Sequence, residues 1–298
     1  MSDQVAMSSV SCVSVTTLVV VSLANLILLI VMLMESRKHC REDSELAENY
    51  RYRATNGRLS SLVGGKNHRE DPKFLAALVV LKSNQMALMC GATIVSKFWV
   101  LVTARCCEKA EVYPFERLKV SSNAARWTRG RQHSVETLVR HVNYTAKSAS
   151  HDLCLVKVGS PFKDKFETPV ALSSAKYEHR SDTLATAVGW ISRKTSTEDQ
   201  VYFLNVNLIA FQTCKTLIKV EKVDDTMICA YNVDGIDCSS DSGGPLLQNN
   251  VVIGMAPFEI NCAARTSPRV FTRIAHFEKW FRSVENQNGV KIDAIFKP

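Results

Sequence analysis

From Leu62 onward the chain alternates short apolar runs with turn chemistry. The runs at 75–81, 91–96, 98–104, 117–120, 152–158, 183–190, 201–209 and 226–231, with the hairpin at 246–254, are strand-length and rich in Val, Leu and Ile. Many short strands at fairly even spacing predict an all-β antiparallel sandwich or barrel. One stretch has a different period. In residues 276–284, Phe277, Trp280, Phe281 and Val284 fall on one helical face, which predicts a terminal amphipathic helix docking on the β core.

The pattern before Leu62 differs again. Residues 13–34 are apolar and uncharged. Twenty-two residues suffice to cross a bilayer of ~30 Å, so this segment is either a signal-anchor or a long signal peptide. Residues 35–61 mix charges with little apolar periodicity and read as an exposed linker or stalk. Arg37, Lys38 and Arg41 after the apolar span favour a cytoplasmic C-terminal side. The cysteines and a glycosylation sequon, Asn143-Tyr144-Thr145, favour the opposite side, and several spacings outweigh one charge cluster.

Composition narrows the class. The chain has 298 residues, 46% hydrophobic, enough for one large β domain or two small ones. A formal charge of +8 with 22% charged residues describes a soluble basic surface, and no nucleic-acid partner is expected. The ten cysteines contain no CxxC pair and no Cys/His cluster of zinc spacing, so disulfides are expected and no metal or cofactor. Cys40 has no obvious partner.

Candidate chemistry lies in Cys238-Ser239-Ser240-Asp241-Ser242-Gly243-Gly244-Pro245-Leu246-Leu247. A serine on a glycine turn beside a cysteine is a setting for a nucleophile, which stays weak unless a base takes its proton. This stretch resembles the nucleophile motif of the trypsin/chymotrypsin-like serine proteases. Cys90-Gly91, the segment 98–106, His151-Asp152-Leu153, Gly189-Trp190, Cys214, Cys229, Cys262-Ala263 and Trp280 follow in that family's order, so the resemblance covers residues 62 to 285 and leaves 286–298 as a C-terminal tail. It implies two six-stranded antiparallel β-barrels with a C-terminal helix and a site between the barrels.

It also implies departures. The base, acid and nucleophile positions are 105, 152 and 242, and position 105 holds Arg. A guanidinium has no acceptor and stays protonated, so Arg105 cannot serve as general base. Loss of the base costs roughly 10⁶-fold in kcat in a subtilisin-type enzyme, about 8–9 kcal/mol. Arg105 is expected instead to pair bidentately with Asp152. His133, His151 and His276 lie elsewhere, and strand alternation points His151 away from Asp152. Ser240 stands where the family has an oxyanion-hole glycine. Pro257-Phe258-Glu259 replaces the substrate-binding strand, Ile236 and Asp237 lie at the pocket base, and Arg269 replaces a pocket-wall glycine, so Arg269 is expected to plug the pocket. Ser61, rather than a basic residue, precedes the Leu62-Val63-Gly64-Gly65 activation segment.

By family order the disulfides are Cys90–Cys106, Cys214–Cys229 and Cys238–Cys262. A Cys107–Cys154 bridge is also expected, because each abuts a triad position and those positions converge in that fold. The reading is a catalytically inactive serine protease homologue of the arthropod type. It would be extracellular, secreted or anchored by residues 13–34, and would act as cofactor, scaffold or decoy towards an extracellular protein such as an active protease or inhibitor. Immune cascades and reproductive fluids are settings the resemblance implies. Two readings compete: a residual hydrolase using Ser242, and a surface- or polysaccharide-binding module using the basic-aromatic stretch Arg126-Trp127-Thr128-Arg129-Gly130-Arg131-Gln132-His133.

Overall fold

The computed structural model describes residues 30–35, 37–38, 72–83, 85–123, 126–163, 165–192, 201–218, 223–232, 239–240, 243–256, 260–261 and 268–298. Residues 30–35 are helical. Among the described residues no helix is long and apolar enough to cross a membrane; most of the 13–34 segment, and the stalk apart from 35 and 37–38, lie outside them.

Strands β1 (Leu75–Lys82), β2 (Gln85–Ile94), β3 (Trp99–Val102), β4 (Leu118–Ser122), β5 (Arg131–Arg140) and β6 (Cys154–Val158) form a closed barrel in the order β1-β2-β3-β6-β5-β4. Leu78, Val80, Ala92, Ile94, Val100, Val120 and Val156 fill its interior, alternating with outward positions as period-2 strands require. A second sheet holds β7 (Ala171–Ser173), β8 (Leu184–Ser192), β9 (Val201–Ile209), β10 (Met227–Asn232), β12 (Pro245–Gln248), β13 (Val251–Met255) and β15 (Arg269–Arg273), with two-residue strands β11 (Ser239–Ser240), β14 (Ile260–Asn261) and β16 (Phe296–Lys297). The ring β8-β9-β10-β15-β13-β12 closes because β12 pairs with both β13 and β8. The two barrels are those that the resemblance implied, where the strand pattern alone predicted an antiparallel sandwich or barrel. The 246–254 hairpin turns on Asn249 and Asn250, both left-handed at φ 52° and 60°, the conformation that a two-residue turn needs and Asn tolerates.

Three helices complete the fold: α1 (Ala104–Ala110), α2 (Phe211–Leu217) and α3 (Glu278–Asn288), the last entered through a 3-10 turn at Ile274–Phe277. The expected apolar face docks: Phe277, Phe281 and Val284 are buried with Trp99, Leu101, Leu155 and Ile274. Gly289, left-handed at φ 58°, ends α3. The chain beyond residue 285 also packs. Ile292 is buried, and β16 pairs in parallel with β7.

α3 also meets the segment that carries Asp152. The His141 ring lies 4.8 Å from His151, 5.3 Å from Phe277 and 5.2 Å from Trp280. The His151 ring lies 5.8 Å from His276. Asp225 faces His276 at 3.7 Å, and Asp224 bears on His151 through its charge. Burial first, then the charges of His151 and His276, pull His141 down to about 4. Burial, then His276, also lowers His151, against the opposing pull of Asp224 and Asp225.

Two outcomes follow from this packing. Histidines whose folded pKa is depressed leave stability whole above the unfolded value near 6.5 and remove it as pH falls towards the folded value. Between pH 6.5 and about 4 His141 therefore withdraws stability, on the order of 2 kcal/mol after allowance for solvent screening, while buried Asp152, its pKa raised to about 6, acts in the opposite sense. Urea melts at pH 7.5, 5.5 and 4.5 should show the stability of the native chain falling relative to that of His141→Asn as pH drops, since Asp152 contributes equally to both. Second, the structure forms the expected Cys107–Cys154 bridge, joining residues 47 apart. Its removal in a Cys107→Ala/Cys154→Ala variant should cost roughly 3–4 kcal/mol in denaturant melts, and non-reducing peptide mapping should recover the linked peptide.

Candidate functional site

α1 begins where β3 ends. Thr103 caps it, its hydroxyl accepting from the Cys106 N–H at 3.3 Å. Two adjacent cysteines then clamp it from both sides: Cys106 to Cys90 on β2, and Cys107 to Cys154 on β6. This clamp sets Arg105 beside Asp152. The Arg105 backbone N–H donates to Asp152 Oδ1 at 2.9 Å, and the Ala104 N–H also bonds the carboxylate. The sequence predicted a bidentate guanidinium–carboxylate pair; the bond recorded between these residues runs through the backbone instead. Early helical N–H groups have no intrahelical acceptor, so a carboxylate is their natural partner.

Asp152 is 2% exposed. Burial pushes its pKa up to about 6, and the N–H bonds and charge of Arg105 only partly oppose this. Its carbonyl accepts from the Thr272 hydroxyl at 3.3 Å, tying the acid to β15 of the second barrel. His151 is not on a strand, as alternation assumed. It is left-handed at φ 57°, in a turn closed by Leu153 N–H to His151 C=O at 2.8 Å, and its ring joins His141 and His276.

The nucleophile turn is described at its glycines. Gly243 N–H donates to Ala256 C=O, and Ala256 N–H to Gly244 C=O, each at 2.8 Å. Gly243 is left-handed at φ 89°, and a Cβ there would lie 2.3 Å from the Gly91 carbonyl oxygen. A Cβ on Gly244 would lie 2.2 Å from the Val188 carbonyl oxygen. The two glycines thus let the turn wedge between β2 and β8. Ser240 is placed by its backbone only, pairing with Ile191 and Ile260. Ser242, Ile236, Asp237, Pro257, Phe258, Glu259, the Cys238–Cys262 pair and the activation segment lie outside the described residues. Arg269 opens β15 opposite Ala230 and is 8% exposed, and burial lowers its pKa. Cys214–Cys229 forms as expected.

An open cavity of about 390 Å³ adjoins the acid, lined by Glu108, Glu111, Arg140, His141, Val142, Tyr144 and Ala146. Arg140 reaches both Glu108 and Glu111 at 3.5 Å. Burial, with the charges of Asp152 and Glu108, pushes Tyr144 up to about 12. Asn143 is exposed beside this cavity, next to Val142 at 88% exposure.

The stretch 126–133, read as one basic-aromatic surface, is divided by the fold. Trp127 and His133 are buried, and Arg131 pairs with Glu167 at 3.0 Å. His133 Nε2 lies 2.9 Å from Glu167, and the Ser122 hydroxyl donates to the same carboxylate oxygen. Burial opposes the Glu167 charge, but the bonds from Ser122, the Lys163 N–H and His133 leave its pKa lowered overall. Sequence reading missed this cluster because Glu167 is 34 residues from His133. No motif links the two.

Trypsin epsilon of Drosophila erecta is 26% identical over 198 residues, 64% of this chain and 75% of that protein. Trypsin-1 of Salmo salar is 25% identical over 237 residues, 74% of this chain and 95% of that protein. Among solved structures, the scabies mite inactivated protease paralogue S-I1 superposes with TM-score 0.63 at 18% identity, over 75% of this chain and 99% of that one. Mouse neuropsin, a serine protease, superposes with TM-score 0.59 at 22% identity, over 71% and 94%. The trypsin family model matches residues 62–281, well over half of the sequence, and the chain belongs to the trypsin family.

Proposed function

We propose that this trypsin-family chain is non-catalytic and acts by binding an extracellular protein, as cofactor, scaffold or decoy towards an active protease or an inhibitor. The observation that carries the proposal is Arg105: its N–H lies 2.9 Å from the buried carboxylate of Asp152, at the place where a family member needs its base. A guanidinium cannot accept a serine proton there. Asp152 then has no imidazole to orient and is left as an acid held by backbone N–H groups. Buried Arg269 would fill the specificity pocket, and Ser240 would misdirect the oxyanion donor.

The same fold serves proteins named trypsins and one named an inactivated protease paralogue, so fold alone does not choose. The disulfides suit an oxidising compartment outside the cytosol. A glycan on exposed Asn143 would stand at the lip of the cavity beside Asp152 and hinder a polypeptide substrate. The competing reading is a residual hydrolase using Ser242. Fluorophosphonate labelling of the full chain discriminates the two. The expected result is labelling no greater than in a Ser242→Ala control; labelling well above that control would establish the hydrolase.

A further inference from the structure

The first barrel gathers four lysines from three separate segments of the sequence. Lys73 precedes β1, Lys97 sits between β2 and β3, and Lys163 and Lys165 follow β6. Backbone bonds fasten these segments together. Phe162 N–H donates to the Lys97 carbonyl at 2.8 Å and Thr168 N–H to the Lys73 carbonyl at 3.2 Å. Phe166 and Glu167 N–H groups donate to the Lys163 carbonyl at 2.9 and 2.8 Å. All four lysines are exposed, and among the described residues none is paired with a carboxylate.

Two of the ammonium groups are placed by aromatic rings. Lys97 Nζ lies 5.9 Å from the Phe98 centroid, and Lys165 Nζ lies 5.3 Å from that of Phe166, itself 48% exposed. Glu167 does not neutralise them. It is fully buried, and its oxygens already take bonds from Ser122, His133, Arg131 and the Lys163 N–H. The carboxylate therefore fixes the loop through these four partners. Asp164, between Lys163 and Lys165, lies outside the described residues.

We propose that Lys73, Lys97, Lys163 and Lys165 form a binding face for a sulfated polysaccharide. Lysine ammoniums are point charges rather than planar forks, so they suit many dispersed sulfates better than one oriented carboxylate or phosphate. A disulfide-bonded domain outside the cytosol meets sulfated glycans as its abundant polyanions. This face differs from the 126–133 stretch, whose Trp127 and His133 are buried. It does not depend on whether Ser242 is catalytic.

Surface plasmon resonance of the full chain over immobilised heparin tests the proposal. Salt would be varied from about 0.1 to 0.5 M, since binding by counterion release weakens linearly in log–log form. The native chain should bind at physiological salt. The Lys73→Gln/Lys97→Gln/Lys163→Gln/Lys165→Gln variant should lose at least tenfold in affinity, with the salt slope flattened by about three. Lys163→Gln/Lys165→Gln should lose part of that, and Arg126→Gln/Arg129→Gln should stay within twofold of native. Thermal melts check that the variants fold, and the two-lysine variant keeps the test decisive if the fourfold one does not. No native binding, unchanged affinity in the lysine variants, or a larger loss in the arginine variant would overturn the proposal. Lysine-dependent binding to phosphatidylserine vesicles without heparin binding would also overturn it.

Discussion

The short helix that places Arg105 over Asp152 is the constraint on which the site depends. Seven residues hold a helix poorly on their own, because nucleation fixes several dihedrals for one hydrogen bond. Here Thr103 caps the helix, and disulfides from Cys106 and Cys107 anchor it to β2 and β6, the two strands that flank β3 in the first barrel. Its first N–H groups then meet a carboxylate that is 2% exposed. Burial opposes ionisation of Asp152 and raises its pKa to about 6, and the N–H bonds restrain the rise. The architecture of an acid beside a base position is thus kept by backbone and cysteine, whatever side chain stands at 105.

That separation between scaffold and chemistry explains the rest of the cleft. Gly243 and Gly244 are required by the close approach of Gly91 and Val188, so packing by itself is enough to demand the glycines of the nucleophile turn. Thr272 ties Asp152 to the second barrel, and the aromatic surface of α3 supports the segment leading into it. None of these contacts needs a working base. In the proposed reading the cleft is a structural junction, and the binding surfaces are the exposed loops carried by the barrels.

Much of the fold was legible in the sequence because its strands are short, apolar and separated by turn residues. The runs at 75–81 and 201–209 match β1 and β9 to within a residue, and Asn249-Asn250 marked its own hairpin. β5 (Arg131–Arg140) was not read as a strand at all. Arg131-Gln132-His133 reads as polar surface, and only a buried glutamate far along the chain turns His133 inward. The run 98–104 was too long as a strand, because Thr103 caps a helix there. For the candidate site, the cysteine pairing of Cys107 with Cys154 and the meeting of Arg105 with Asp152 were legible from the resemblance, whereas the form of that second contact was not. A side-chain ion pair is what residue types suggest; helix-start N–H groups are visible only once the helix is known. The lysine face was invisible for the same reason, since the bonds that assemble it are all between backbone groups.

The central claim, that a trypsin scaffold here stands without proteolysis, is tested most directly by turnover. The full chain, cut after Ser61 to free Leu62, would be incubated at pH 7.5 with a diverse library of internally quenched peptides beside its Ser242→Ala counterpart. The account predicts the same background cleavage in both. Cleavage by the native chain that disappears with Ser242→Ala would contradict it.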